Sequence, residues 1–247
     1  MKLQRFFIEE QLRNKKDITL YDDDLIHQLK DVFRLRVGDQ IMLLDNSGFE
    51  YLAEVVLLAR GKGEIKIIDQ SAAINVPKEE VWLFASLIKK DNYEWILEKC
   101  TELGVSHFVP IVSDRTEKKD LNSERAQKII KEASEQSERG VMPVLYDVHT
   151  LEQTLEKYAG TFPIYAFHIG QEFPKFNYSE IKNKHADRNA SLKLPEEPIG
   201  IFVGPEGGWT EKEVELFKQH SVQIYSLGNQ VLRAETAAIA ISSLVLL

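Results

Sequence analysis

Residues 198–247, PIGIFVGPEGGWTEKEVELFKQHSVQIYSLGNQVLRAETAAIAISSLVLL, hold two apolar runs that each empty into a glycine-bearing turn followed by a helical pattern. Ile199 to Val203 is short, apolar and β-branched, the composition of a parallel strand buried on both faces. It cannot continue through Gly204–Gly208. Pro205 lacks an amide hydrogen, while Gly204, Gly207 and Gly208 permit positive φ and close approach of backbone to a ligand. Thr210, with Glu213 three residues on, reads as the N-cap and capping box of a helix reaching about His220. Val222 to Leu227 returns as strand, Gly228 to Leu232 turns, and Arg233 to Thr236 open a final helix with an almost continuous Ala/Ile/Leu face. Both loops then lie at the carboxyl ends of strands, where open α/β sheets hold their ligands.

Upstream of this stretch the chain alternates strand and helix, the rhythm of a βαβ fold. Val81–Ile88 reads as strand. Asp91, with Glu94 three on, is the expected cap of a helix whose apolar face is Ile96, Leu97, Cys100 and Leu103 and whose end is Gly104. Val105–Val112 is the next strand, followed by SDRT at 113–116. Ser123 to about Arg139 is a helix with a stripe of Ala126, Ile129, Ile130 and Ala133. Val141–Val148, a helix capped by Thr150, and Phe162–Phe167 continue the pattern. Residues 171–197 are polar, Pro-bearing and aperiodic, and are expected to form a long mobile surface loop.

The first 72 residues differ. QRFFI, RVGDQIMLL, FEYLAEVVLLA and GEIKIIDQ read as short strands joined by turns, with one helix from Asp24 to about Leu35, and suggest a small β-barrel-like domain. Ser71–Lys78, SAAINVPK, reads as a linker. The expected division is therefore a barrel at 1–72 and an α/β domain at 73–247.

Composition narrows the function classes. Of the 247 residues 28% are charged and 43% hydrophobic, as in a soluble globular protein. No apolar run reaches the roughly 18 residues of a membrane span, and the charged N-terminus does not resemble a secretory signal, so a cytoplasmic location is expected. One cysteine excludes an internal disulfide, and no zinc-type spacing is present, so no metal is expected. A net charge of -8 argues against a generally basic nucleic-acid binder but admits a local basic patch.

GPEGG is neither GxGxxG nor a Walker A sequence. Together, VGPEGGWTEKEV and SLGNQVLRAETAAIA resemble the signature of the ribosomal small-subunit methyltransferases that modify N3 of a uridine in the decoding-region rRNA. QRFFI, HQLKDVFRLRVGD at 27–39, DNYEWILEKCTELGV at 91–105, SDRT, and EASEQSERGVMPV at 132–144 extend the resemblance over nearly the whole chain. The chain departs from the family's usual pattern at His27-Gln28, where a second histidine is common, and at KKDN, residues 89–92.

The resemblance implies a PUA-like β-barrel followed by an α/β SPOUT-type methyltransferase domain with a C-terminal trefoil knot. It implies a homodimer, S-adenosylmethionine as methyl donor, and small-subunit ribosomal RNA, free or in the assembled 30S subunit, as substrate. Phe202, Val203, Gly204, Pro205, Glu206, Gly207, Leu227, Gly228, Val231 and Leu232 become the expected cofactor wall, although sheet packing is the plainer role for the side chains of Phe202 and Val203. Arg139 and Arg233 match arginines of the family's motifs and are the candidates to stabilise a developing uracilate, and Glu206 or Glu235 is the candidate to accept a proton if held near the base with a raised pKa. Capping or ion pairing at the last helix is the structural reading of Arg233 and Glu235.

Cys100, in an apolar helical stripe, reads as a buried small hydrophobe, since methylation on nitrogen needs no addition to the ring. His168 follows a strand and is placed where it could face the cofactor, although a histidine satisfied within its loop is the plainer reading. For RNA the candidates are Arg5, Arg34, Arg36, Lys89, Lys90 and Arg115, with Phe6, Phe7 or Phe33 as stacking partners. Two rivals stand: a nucleotide- or phosphate-handling α/β enzyme using GPEGGWT as a helix N-terminal anion site, and a non-catalytic RNA-binding assembly factor.

Overall fold

The computed structural model describes residues 3–170, 172–179 and 197–247. The chain divides into two compact units, Met1–Val76 with Ser134–Met142, and Pro77–Ala133 with Pro143–Leu247. The linear expectation gave 134–142 to the second domain, yet this segment packs with the first. Glu135 accepts from the Phe7 amide at 2.9 Å, and the Met142 amide donates to Asn46 at 2.7 Å.

In the first unit, β1 (Arg5–Phe7), β2 (Asp17–Leu20), β3 (Gln40–Leu44), β4 (Phe49–Ala59) and β5 (Lys62–Ala72) form one sheet in the order β1-β3-β4-β5-β2. β1 and β3 run parallel and the other pairs antiparallel. Register shifts at Leu52/Ala53 and Val55/Leu57 bend the long β4–β5 ribbon, as bulges do. The sheet curls around Phe6, Leu29, Leu43, Tyr51 and Val55. Helix α1 (Asp23–His27) is capped by Asp22 and runs into a π-helical turn, Gln28–Val32. β2 was not anticipated, because Asp17 and Thr19 on its outer face dilute a two-residue apolar signal. β5 also consumes Ser71 and Ala72 of the expected linker.

The second unit is a parallel sheet with helices on both faces. β6 (Val81–Ser86), β7 (His107–Val112), β8 (Val144–Leu145), β10 (Ile164–Phe167), β11 (Ile199–Val203) and β12 (Gln223–Tyr225) stand in the order β12-β10-β11-β6-β7-β8, and β9 (His149–Thr150) also pairs β7. One core contains Leu83, Leu97, Ile201 and Ala238; the other contains Phe84, Leu155, Phe202 and Phe217. Alternate residues of a strand serve opposite faces, which is why Ile201 and Phe202 part company. Gly200 fits because a Cβ there would stand 2.8 Å from Ile164 and 2.9 Å from Phe84.

The helices are α2 (Lys90–Leu103), α3 (Ser123–Gln136), α4 (Leu151–Tyr158), α5 (Glu211–Gln219) and α6 (Ala234–Leu246). Thr210 forms the expected capping box with Glu213, and Thr150, the expected cap, forms one with Gln153. α2 corrects the expectation: it starts at Lys90 behind Lys89, with no side-chain cap, and Glu94 instead meets Arg125 at 3.1 Å. Gly104 ends it in the left-handed conformation. Part of the expected 171–197 loop is packed rather than mobile. Phe176 is buried, its amide donates to Ser226 O at 2.9 Å, and it meets Phe167 edge-on. Residues 171 and 180–196 lie outside the described residues. Among the described residues no helix is long and apolar enough to cross a membrane.

Candidate functional site

Where β10, β11 and β12 end, the second unit opens a cleft. The sheet reverses its strand order across β6, and open α/β sheets bind ligands at the carboxyl ends near such a reversal. The cleft is lined by Phe167, His168 and Ile169 after β10, by Val203, Gly204, Pro205, Glu206 and Gly208 after β11, and by Leu227, Gly228, Gln230 and Leu232 after β12. Ala234 and Ala237 of α6 complete it.

Three side chains hold the GPEGG loop in place. Trp209, 2% exposed, donates from Nε1 to Phe167 O at 2.9 Å and so ties the loop to the end of β10. Arg115 donates to Gly207 O at 2.6 Å and to Trp209 O at 3.3 Å. Glu213, buried in the first turn of α5, accepts from the Thr210 amide at 2.7 Å and from the Asp114 amide at 2.9 Å. Gly208, at φ +67, closes a turn in which its amide donates to Pro205 O. The loop is thus preformed, with its backbone and small residues facing the cleft.

The same contacts remove the anion-site reading. The α5 N-terminus is occupied by the carboxylates of Glu213 and Asp114, the latter accepting from Thr210 Oγ1 at 3.1 Å. A phosphate there would meet two negative groups. Among the described residues no cluster of His, Cys, Asp and Glu is arranged to hold a metal.

Of the expected cofactor wall, Val203, Gly204, Pro205, Glu206, Leu227, Gly228 and Leu232 line the cleft. Phe202 does not: it is fully buried on the opposite face, stacked on Phe84 at 4.6 Å. Val231 is 74% exposed, turned outward between Gln230 and Leu232. Gly207 faces Arg115, and Gly208 takes its place in the wall. Missed by sequence were Phe167, Ile169, Gln230, Ala234 and Ala237, while His168, weighed as a residue that could face the cofactor, lines the cleft. The β10 contribution was hidden because pairing of β10 with β11 is a matter of sheet order, and only His168 offered a hint.

The candidate catalytic residues separate. Glu206 lines the cleft, and its Oε1 lies 3.5 Å from the Lys89 amide. Arg233 is exposed at the start of α6, its carbonyl accepting from the Ala237 amide. Glu235 is 3% exposed, and among the described residues its Oε2 has no hydrogen-bond partner. Arg139 belongs to the first unit, where it is buried, donates to Val141 O at 3.0 Å, and is brought down to about 10 by burial. Cys100 is fully buried beside Ser242, and burial pushes its thiol up to about 12, as expected of a structural residue.

The RNA candidates also divide. Arg5 is nearly buried and paired with Glu50 at 2.8 Å, so it is committed to its own fold and is withdrawn as a phosphate contact. Phe6 and Phe7 are core. Arg34 and Arg36 are exposed after the π-helical turn, Arg34 at φ 55, with Phe33 38% exposed beside them. Lys89 is exposed, Lys90 pairs with Glu94 at 3.8 Å, and Arg115 is occupied by the GPEGG loop.

The family models described as RNA methyltransferase domain and RNA methyltransferase PUA domain match residues 75–246 and 21–68. The ribosomal RNA small subunit methyltransferase E of Rickettsia conorii is 32% identical, over 97% of this chain and 93% of its own. That of Bacillus subtilis is 31% identical, over 95% and 93%. A crystal structure of the Neisseria gonorrhoeae ribosomal RNA small subunit methyltransferase E, bound to S-adenosyl methionine, superposes with a TM-score of 0.84 at 27% identity, covering 98% of this chain and 95% of that one. These matches span both units and nearly the full length of the relatives, and the chain belongs to the ribosomal RNA small subunit methyltransferase E family.

Proposed function

We propose that this protein transfers a methyl group from S-adenosylmethionine to N3 of a uridine in the decoding region of small-subunit ribosomal RNA. The cleft at the ends of β10, β11 and β12 carries the reading. Its lining fits an adenosyl ligand: Val203, Leu227, Leu232, Ala234 and Ala237 offer an apolar wall for a nucleobase, and Gly204, Gly208 and Gly228 let backbone polar groups approach it. The ligand in the Neisseria gonorrhoeae relative supports the same occupant here.

S-adenosylmethionine, when bound, supplies an electrophilic methyl on a sulfonium. The chain's own groups must then hold the uracil in line and manage the N3 proton. Glu206 is the cleft-facing carboxylate and is the candidate acceptor, with Glu235 the buried alternative. Arg233, at the start of α6, is the cation proposed to stabilise the uracilate. Arg34, Arg36 and Lys89 are the proposed phosphate contacts, and Arg115 serves RNA only through the loop it braces.

The remaining family expectations join the proposal: a C-terminal trefoil knot, RNA gripping by the β unit and methyl transfer by the α/β unit, a cytoplasmic location, and a homodimer acting on rRNA or the assembled 30S subunit. An unusually apolar α6 that leaves Leu244 54% exposed supports a partner on that face. Titration calorimetry tests the cofactor assignment. S-adenosylmethionine is expected to bind and ATP not; the reverse would overturn it. Binding without methyl transfer to small-subunit rRNA would favour a non-catalytic assembly factor.

A further inference from the structure

His168 follows β10, and its amide donates to Tyr225 O at 2.9 Å, which anchors its backbone beside the end of β12. Its ring lines the cleft. Phe173 stands 5.4 Å away at 60° on one side. On another the ring meets Gly208, where a Cβ would lie 3.4 Å from Cε1 and 3.6 Å from Nδ1. Nδ1 is buried and, among the described residues, has no hydrogen-bond partner, so the satisfied loop histidine expected from sequence is not what forms.

That burial decides the tautomer. A buried N–H without an acceptor is rarer and costlier than a bare acceptor lone pair. The proton of the neutral ring therefore belongs on Nε2, and His168 enters the cleft as a donor rather than a base. Charged neighbours do not reverse this. Burial holds the imidazole below its ordinary range, Arg115 acts in the same direction, and Glu172 and Glu213 oppose both. Glu206 also lines the cleft.

Resting on the cofactor reading above, we infer that His168 is a cofactor-binding residue, a neutral imidazole that donates a hydrogen bond from Nε2 to S-adenosylmethionine. Protonation would add a hydrogen at Nδ1 with no acceptor. A cofactor that encloses the ring lowers the imidazole pKa further, so binding releases a proton. Affinity is then full above the pKa of the free protein and falls as pH drops through it.

The test is calorimetric affinity for S-adenosylmethionine at about pH 7.5 and about pH 5.5. His168→Phe keeps a ring without a donor and is expected to bind roughly five- to tenfold more weakly at the higher pH. His168→Gln keeps a donor near Nε2 and is expected to stay within about threefold of wild type and to lose the acid-side weakening. Wild-type affinity in folded His168→Phe, or unchanged pH dependence in His168→Gln, would overturn the inference. Failure of the wild-type protein to bind at either pH would overturn the cofactor reading itself, and this inference with it.

Discussion

Gly204 is set by its neighbour as much as by its ligand. A Cβ there would sit 3.0 Å from Cε2 of Trp209, an indole pinned by its bond to Phe167 O. Gly204→Ala is expected to lower stability by ~1–3 kcal/mol as the ring is displaced, read as a drop in thermal midpoint, and to weaken S-adenosylmethionine binding with it. Arg115 differs, since it braces the loop from outside. Arg115→Ala is expected to leave the fold within about 1 kcal/mol of wild type while weakening cofactor binding roughly tenfold, and Arg115→Lys to restore little, because an ammonium lacks the guanidinium's fork. Undiminished calorimetric affinity in Arg115→Ala would show that the brace is dispensable. The glycine loops were legible because turn chemistry is local. Phe202 packs in the sheet, the plainer reading of its side chain, while Val231 turns outward, because motif membership says nothing about which face a side chain takes.

At the scale of elements, local rules succeeded where a cap is built from neighbours in sequence. Thr210 and Glu213 form such a cap, and Glu213 also binds the Asp114 amide 99 residues away. Thr210→Ala should cost about 1 kcal/mol in chemical unfolding, and Glu213→Ala about 2–3 kcal/mol, since it strips two amides at once. Equal losses would mean that the tie to Asp114 is idle. The same rule failed at Asp91 because Arg125, from α3, claims Glu94. In the first unit, Asp45 is 2% exposed and bonds the Leu12 amide at 2.8 Å. Burial raises its pKa, but hydrogen bonds from Ser47 and the Leu12 amide outweigh that and hold it below 3.8. Its contribution is therefore present above the unfolded pKa and lost as pH falls through the lower folded value. The stability gap between wild type and Asp45→Asn should be wide at about pH 7 and narrow below about pH 3, as urea midpoints would report. A gap that does not change with pH would remove Asp45 as the titrating group.

For the whole molecule, the alternation of strand and helix after residue 80 conveyed a parallel sheet, and the short strands before it conveyed a separate β unit. The exchange of Ser134–Met142 into the first unit was not legible, because it rests on Glu135 and Asn46 meeting partners more than ninety residues away. A knot is likewise silent in composition and periodicity, and only the resemblance raised it. Light scattering at micromolar concentration should give the mass of a dimer; a stable monomer would contradict the homodimer. Methylation of one uridine is addressed most directly by mass-spectrometric mapping of small-subunit rRNA from cells with and without the gene. One 3-methyluridine is expected to be lost with the gene and to return on adding it back; an unchanged methylation map would overturn the assignment.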